Sequence, residues 1–488
     1  MARKLLFALL IFLLVVTGAG YAYAAENPSE GKDVINEVFD YLIKYHKDNP
    51  KTKQLVEGAI WGMIDTLDDP YTVYLTDQEV KQFVDDISGG YSGVGLYLEG
   101  QPDYPRVSGV LSRSPALETG IKAGDIIKKV DGTDIKGLPL KQVVEKIKGP
   151  PGTEVELGIE RDGRDITFKL IRADLNAVTT ESKVLGNNTG YIAVRSFGFK
   201  TPEEFGSALK RLAALKVSGL IIDLRDNPGG FLNSAIDMAS NFLKQGDLIV
   251  STRDYNGSVK KYSAPMDVKT VRMPMVILVN SRSASSSEIF AGALQDYGVA
   301  ALVGETSYGK GVVQSLIPLE TGGALKVTTA EYSTPKGRHL QKQGLKPDFS
   351  VTNPDLQVLF ALKLLHPEHK RMITFTTGSD EVNIDGEKIL LEDSMINNEG
   401  TLCLPLRFTF EAMGYVVSWD NDGGKIILQK LGNSIVIPVK GYPLINGQEI
   451  KTNKNIYMKD SVSYIPIGML KDLGIKADPQ NDRIVLED

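Results

Sequence analysis

The chain is poor in the residues that cross-link or bind metals. It has one cysteine, Cys403, in 488 residues, so no internal disulfide can form. Histidine is almost as scarce, with His46, His339, His366 and His369 as the full complement. Only the last two are close, in "LLHPEHK". Pro367 separates them and no acidic or cysteine cluster lies nearby, so no metal-ligand spacing results. No long basic run occurs and the net charge is −6, which argues against nucleic acid as the main partner. Apolar residues are plentiful at 42%, enough for several cores, and the length suggests about three domains.

The N-terminus reads as a targeting segment. Arg3 and Lys4 precede the apolar run "LLFALLIFLLVV", and "TGAGYAYAA" follows with small residues at Ala22 and Ala24. This is the pattern of a secretory signal peptide over residues 1–24, cleaved near Ala24–Ala25. Leu5 to Ala25 is also about long enough to serve as an uncleaved membrane anchor. Either reading places the remainder outside the cytoplasm, secreted, cell-wall associated or anchored.

Four kinds of sequence follow. Residues 25–90 read as helical. Val34, Val38, Leu42 and Tyr45 make an apolar stripe, "KQLVEGAIWGMIDTL" forms a second helix, and Thr76 with Glu79 opens a third as a capping box. Residues 91–173 alternate short strands with turns and two helices, one capped by Ser114 with Pro115 behind it. Residues 174–352 alternate strand and helix. "GLIIDL", but for its aspartate, and "MPMVILV" are apolar, as strands buried on both faces are, and an α/β core results. After a linker at 353–375, residues 376–488 hold an internal repeat. "LCLPLRFTFEAMGYVVSW…KIILQ" recurs as "VSYIPIGMLKDLGIKADP…RIVLE", with Pro405 matching Pro466 and Gly414 matching Gly474. Two copies of strand, short helix and strand predict one shared core and a folded unit of its own.

The densest chemistry is in "NSRSASSSE", residues 280–288, where five serines fall within seven positions after a buried strand. Ser285 with Glu288 three residues on fits a helix capping box, and a capping role alone is one reading. A helix N-terminus also offers N–H groups and positive potential to a developing oxyanion, which suits a nucleophile. No histidine stands in a comparable turn. The best base is Lys310 in "GETSYGKGVVQ", because a neutral lysine can take a serine's proton. Free lysine has a pKa of about 10.4, so such a base needs a site that disfavours its charge. If this piece is extended, Gln314 shares a face with Lys310 and can orient the amine. "GETSYGK" also matches most of a phosphate-binding loop, but Gly311 stands where Ser or Thr should be and a strand-like run follows. In "DLRDNPGG", Gly229 or Gly230 can present a backbone N–H beside that of Ser286, completing a two-donor oxyanion hole.

Taken together, "SRSASSSEIFAGALQDYG", "GETSYGKGVVQ", "LRDNPGG" and "STPKGRHLQKQGLKPD" resemble the carboxy-terminal processing proteases, secreted serine endopeptidases of peptidase family S41. The resemblance spans roughly residues 35–352. It implies Ser285 as nucleophile, Lys310 as general base, Gln314 as the residue that orients the lysine, and a protease core like the crotonase and Clp-type sheets. The family's alanine after the nucleophile is Ser286 here. Residues 91–173 resemble a PDZ domain, and "SGVGLYL" its carboxylate-binding loop. Gly93, Val94, Gly95 and Leu96 would then capture a chain terminus while the ligand pairs as an added strand. The resemblance also assigns Lys148 to the switch by which the PDZ domain gates the protease. The tail resembles the stalk-like repeat named after the copper amine oxidase N-terminal domain. With no His/Cys cluster there, no copper is expected, and no cofactor is expected elsewhere. The implied fold is multidomain α/β: a helical N-terminal segment, a mixed-β PDZ domain with two helices, a crotonase-like α/β core and a C-terminal α+β repeat domain.

The expected function is an extracytoplasmic Ser/Lys endopeptidase acting on proteins with free apolar C-termini. The tail would be a surface or cell-wall contact, and self-association is left open. The competing reading is a non-catalytic PDZ scaffold with a degenerate protease fold.

Overall fold

The computed structural model describes residues 28–88, 90–111, 114–176, 178–265, 271–391, 393–398, 400–430, 432–480 and 482–487. The N-terminal targeting segment lies outside these residues. Among the described residues no helix is long and apolar enough to cross a membrane. The chain divides into two compact units, residues 1–76 with 315–328 and residues 77–314 with 329–488.

The first unit holds helices Pro28–Tyr45 and Thr52–Asp65 and a short strand, Val73–Leu75. The strand pairs antiparallel with Ala324–Lys326, Val73 opposite Lys326. The predicted stripe Val34, Val38, Leu42 and Tyr45 forms on the first helix, and all four side chains are exposed.

The second unit begins with helix Asp77–Ser88. An antiparallel sheet follows, in the order Leu96–Glu99, Arg106–Val110, Ile126–Val130, Glu154–Arg161, Arg164–Ile171. Helices Pro115–Glu118 and Leu140–Ile147 accompany it. Ser114 caps the first as predicted, accepting from the Leu117 N–H. Alternating residues such as Val107, Ile127, Val155, Leu157 and Ile159 are buried together with Val143 of the longer helix.

The next layer is a six-stranded sheet in the order β1 (Thr180–Leu185), β2 (Thr189–Val194), β3 (Gly219–Asp223), β4 (Met275–Val279), β5 (Ala301–Gly304), β6 (Phe349–Ser350). The first pair is antiparallel and the rest are parallel. Helices α1 (Thr201–Ala214), α2 (Leu232–Ala239), α3 (Ser286–Asp296) and α4 (Pro354–Leu365) accompany it. The apolar strands explain the layering. Leu220, Ile222, Ile277 and Leu302 join one core with α1, α2 and α3, through Phe205, Met238 and Phe290 among others. Ile221, Val276, Leu278 and Val303 join a second core with Leu356, Leu359 and Phe360 of α4. Successive side chains point to opposite faces, so a run with no polar residue buries both.

The tail does not have the separate core that its repeat predicts. The α4 core continues without a break into Phe375 and into Leu404, Phe410, Ile465 and Leu470 of the two copies. Arg371 ties the junction by donating to the carbonyls of Leu359 and Ala412. The copies meet through antiparallel strands Thr401–Pro405 and Val462–Pro466, with Leu404 opposite Ile465. Pro405 and Pro466 each precede a short helix, and Gly414 and Gly474 each follow one at φ 81° and 79°. That left-handed conformation at a helix end is where glycine is favoured.

Candidate active site

Ser285 sits at the tip of the turn between β4 and α3, as the N-cap residue of α3, with φ 55° and ψ −115°. A non-glycine residue there is strained by about 1–3 kcal/mol and must be held by its surroundings. Glu288 provides one hold: its Oε2 accepts the Ser285 N–H at 2.9 Å, one half of the predicted capping box. The Ser285 carbonyl accepts from the Ile289 N–H at 2.9 Å and from the Tyr332 hydroxyl at 3.3 Å.

The other serines explain the density of hydroxyls. Three of them stitch the turn that carries Ser285 to the glycine turn after β3. Ser283 Oγ donates to the Leu224 carbonyl at 2.8 Å, Ser287 Oγ to Asn227 at 2.9 Å, and Ser286 Oγ to Gly230 at 2.9 Å. The Ala284 N–H donates to the Asn227 carbonyl as well. Ser281 lies farther out and reaches Glu305 at 3.4 Å. Four serines thus have structural bonds, and Ser285 is the one set on a strained helix cap.

The glycine turn approaches this tip closely. A Cβ on Gly229, whose φ is 103°, would stand 2.7 Å from the Ala284 carbonyl oxygen and 2.9 Å from Ser285 Cβ. A Cβ on Gly230 would meet the Phe197 carbonyl oxygen at 2.5 Å. The structure corrects one detail of the predicted oxyanion hole. The Gly229 N–H donates to Asn227 Oδ1 at 2.9 Å, because Asn227 folds back to close its own turn. The N–H groups of Gly230 and Ser286 remain as the candidate pair.

Lys310 follows β5 in a loop that Glu288 also holds. The same Oε2 that binds the Ser285 N–H accepts the Lys310 N–H at 3.0 Å. The Oε1 accepts the Gly309 N–H at 2.8 Å and the Ser307 hydroxyl at 2.5 Å. The Tyr332 hydroxyl lies 3.5 Å from Oε2. Glu288 is 1% exposed, and these groups surround it with donors, as a buried carboxylate requires. The Tyr308 N–H donates to the Ser283 carbonyl at 2.9 Å, joining the two loops directly. The flanking glycines have a steric reason. A Cβ on Gly309 would lie 2.8 Å from the Gly344 nitrogen, and one on Gly311 2.4 Å from that of Gln341. Lys310 itself is half-buried.

Gln314 lies on the strand starting at Val312, half-buried. Among the described residues its Nε2 has no hydrogen-bond partner. A buried amide donor of this kind is set up to bind a group that arrives. Sequence reasoning cast Glu288 only as a cap. Its hold on the 307–310 loop was visible in no local pattern, although S-x-x-E marked the residue itself.

In the 91–173 region, Gly93, Val94 and Gly95 are buried and Leu96 half-buried. Gly95 has φ 86°, and a Cβ there would overlap Ser114. Leu96 opens an edge strand of its sheet, the geometry that strand addition needs. Lys148 caps helix Leu140–Ile147, its N–H donating to the Val144 carbonyl. The structure adds Arg172, which sequence reasoning passed over. Its buried guanidinium donates to the carbonyls of Ile147, Lys146 and Glu154 and to Thr153 Oγ1. It thereby pins the end of that helix to the strand leaving the sheet.

The chain is similar to known proteins over most of its length. Residues 188–351 match the family model described as Peptidase family S41, and residues 84–160 that of the PDZ domain. Residues 17–79 match the activating protease CtpB N-terminal domain, and the tail matches the copper amine oxidase N-terminal domain over 366–428 and 383–486. The chain is 33% identical to the carboxy-terminal processing protease CtpB of Bacillus subtilis over 351 residues, 71% of this chain and 73% of that one. It is 34% identical to CtpA of the same organism over 363 residues, 72% of this chain and 78% of the other. The carboxy-terminal-processing protease of Bartonella bacilliformis is 35% identical over 324 residues, covering 65% and 74%. Among solved structures, the photosystem II D1 C-terminal processing protease aligns at 27% identity and TM-score 0.42, covering 66% of this chain and 92% of that one.

Proposed function

The chain belongs to the carboxy-terminal processing proteases, serine-type peptidases of family S41, and we propose that it is an exported endopeptidase working through a Ser285–Lys310 dyad. Ser285 Oγ attacks the scissile carbonyl. Neutral Lys310 accepts the hydroxyl proton and returns it to the leaving amine. The tetrahedral oxyanion lies between the N–H groups of Ser286 and Gly230, at the N-terminus of α3. Water, activated by the same lysine, then hydrolyses the acyl-enzyme. Gln314 orients the amine. The PDZ domain captures the substrate's free carboxylate on the loop Gly93–Leu96, and Lys148 takes part in the gating. Export rests on the N-terminal segment, and contact with the cell wall through the tail remains part of the same proposal.

The observation that carries this reading is the shared carboxylate oxygen. Glu288 Oε2 binds the backbone N–H of both Ser285 and Lys310, so nucleophile and base are referenced to one buried atom. A degenerate scaffold has no need of that arrangement.

The test is peptide hydrolysis by Ser285→Ala, Lys310→Arg and Lys310→Ala, with circular dichroism to establish folding. All three should be inactive while folded, because arginine keeps the charge but stays protonated. A folded Lys310→Arg protein with substantial turnover would rule out the dyad. In the same preparation, peptides with apolar C-termini should bind as free acids and much more weakly as amides. Equal binding would remove the PDZ assignment.

A further inference from the structure

The C-terminal repeat region contains a cavity of about 630 Å³ that none of the chemistry above uses. This is within the range of small-ligand sites. Leu406, Phe408, Val417, Ile426, Ile437 and Met469 form its apolar walls. At the rim, Trp419 is 49% exposed and Met458 67%. Glu411 also lines the cavity, although only 1% of its surface is exposed. Its Oε1 accepts from Arg407 Nη1 at 3.1 Å, while its Oε2, among the described residues, has no hydrogen-bond partner.

We propose that this cavity binds a peptide segment that carries aliphatic side chains and a lysine, whose ammonium group bonds to Glu411 Oε2. A buried acceptor without a donor is unfavourable, and an ammonium ion supplies both the donor and the opposite charge. The aliphatic walls suit leucine- or valine-like side chains. The exposed Trp419 ring can cover the lysine methylenes. The other charges lining the cavity leave room for a cation. Arg407 is committed to Glu411 and the Val417 carbonyl, Lys454 is paired with Asp472 at 2.8 Å, and Asp393 adds negative charge. Burial pushes the Glu411 carboxyl up to about 7 in spite of Arg407, so a bound cation would draw it back toward ionisation. The choice of a peptide over other aliphatic amines rests on the peptidase reading, for which the site is a second point of substrate contact.

The test uses the full chain with Ser285→Ala and Trp61→Phe. Catalysis is then absent and Trp419 is left alone of the two tryptophans. The probes are Ac-Leu-Val-Lys-Val-Leu-NH2 and its counterparts with norleucine or glutamate at the centre. Their blocked ends keep them from a carboxylate-binding loop. Trp419 fluorescence should change saturably with the lysine peptide, at least roughly tenfold more tightly than with the other two. Glu411→Gln should erase most of that preference. Ile437→Phe, which narrows the cavity without touching Glu411, should weaken the lysine peptide even where Glu411→Gln fails to fold. No saturable change with the lysine peptide, or equal affinity for lysine and norleucine peptides, overturns the proposal. Because Ser285 is absent throughout, failure here leaves the dyad untouched, and failure of the dyad leaves this result standing.

Discussion

At the scale of single residues, Glu288 has the largest consequence for its size. Its two oxygens accept from the Ser285, Gly309 and Lys310 N–H groups and the Ser307 hydroxyl. Glu288→Gln keeps the shape but turns one acceptor into a donor facing N–H groups. Stability should fall by roughly 2 kcal/mol, and turnover roughly a hundredfold, as the loops that carry Ser285 and Lys310 shift relative to each other. Ser286→Ala is the contrasting case. It removes the Oγ bond to the Gly230 carbonyl but keeps the N–H proposed for the oxyanion. Stability should fall by about 1 kcal/mol and turnover only a few-fold. Urea midpoints and kcat for the two variants test the distinction. Comparable activity losses would mean that the Ser286 hydroxyl holds its turn as firmly as Glu288 holds the Ser285 and Lys310 loops.

At the scale of elements, the helix Leu406–Ala412 carries a buried carboxylate whose protonation should be visible in stability. Glu411 is raised from an ordinary 4.5 to about 7, first by burial, with Arg407 opposing. The folded protein therefore binds more protons than the unfolded chain between those values. Stability from this group is present at low pH and declines as pH rises from about 4.5 through about 7. Glu411→Gln removes that decline. Relative to the parent it should gain roughly 3 kcal/mol between pH 4.5 and pH 8, apart from a constant offset for the altered bond to Arg407. Urea denaturation of both proteins across this range measures the difference. A difference that does not change with pH would show Glu411 ionised throughout.

At the scale of the whole second unit, the tail and the catalytic sheet share one core. The internal repeat suggested that a chain stopped near Lys370 would keep an intact protease. The continuous cluster from Val276 and Leu278 through Phe360 to Phe410 and Leu470 argues otherwise. Such a truncation uncovers apolar surface on α4 and removes the Arg371 bond to the Leu359 carbonyl. Each large side chain newly exposed costs roughly 1.5–3 kcal/mol, so the truncated protein should melt well below the full chain or fail to fold. A thermal melt of chains ending at residue 370 and at residue 488 decides it. Coincident melts, with activity intact, would mean that the shared core adds no stability to the sheet.

Much of this was already written in local patterns. The apolar runs at 220–222 and 275–279 specified strands buried on both faces. Ser114, Pro115, Gly414 and Gly474 marked helix ends, and the paired Pro405 and Pro466 marked the repeat. The motif order pointed to Ser285, Lys310 and Gln314. Such features depend on neighbours within a few residues, where spacing translates directly into geometry. Tertiary structure decided the rest. It turned the Glu288 cap into the clamp on the 307–310 loop and gave the Gly229 N–H to Asn227. It locked Arg172 onto the helix 140–147, fused the tail's core with that of the sheet, and opened a cavity around Glu411. Each of these depends on backbone groups and packing brought together from distant parts of the chain. A carboxylate's partners, or the second face of a helix, have no periodicity from which they can be read in advance.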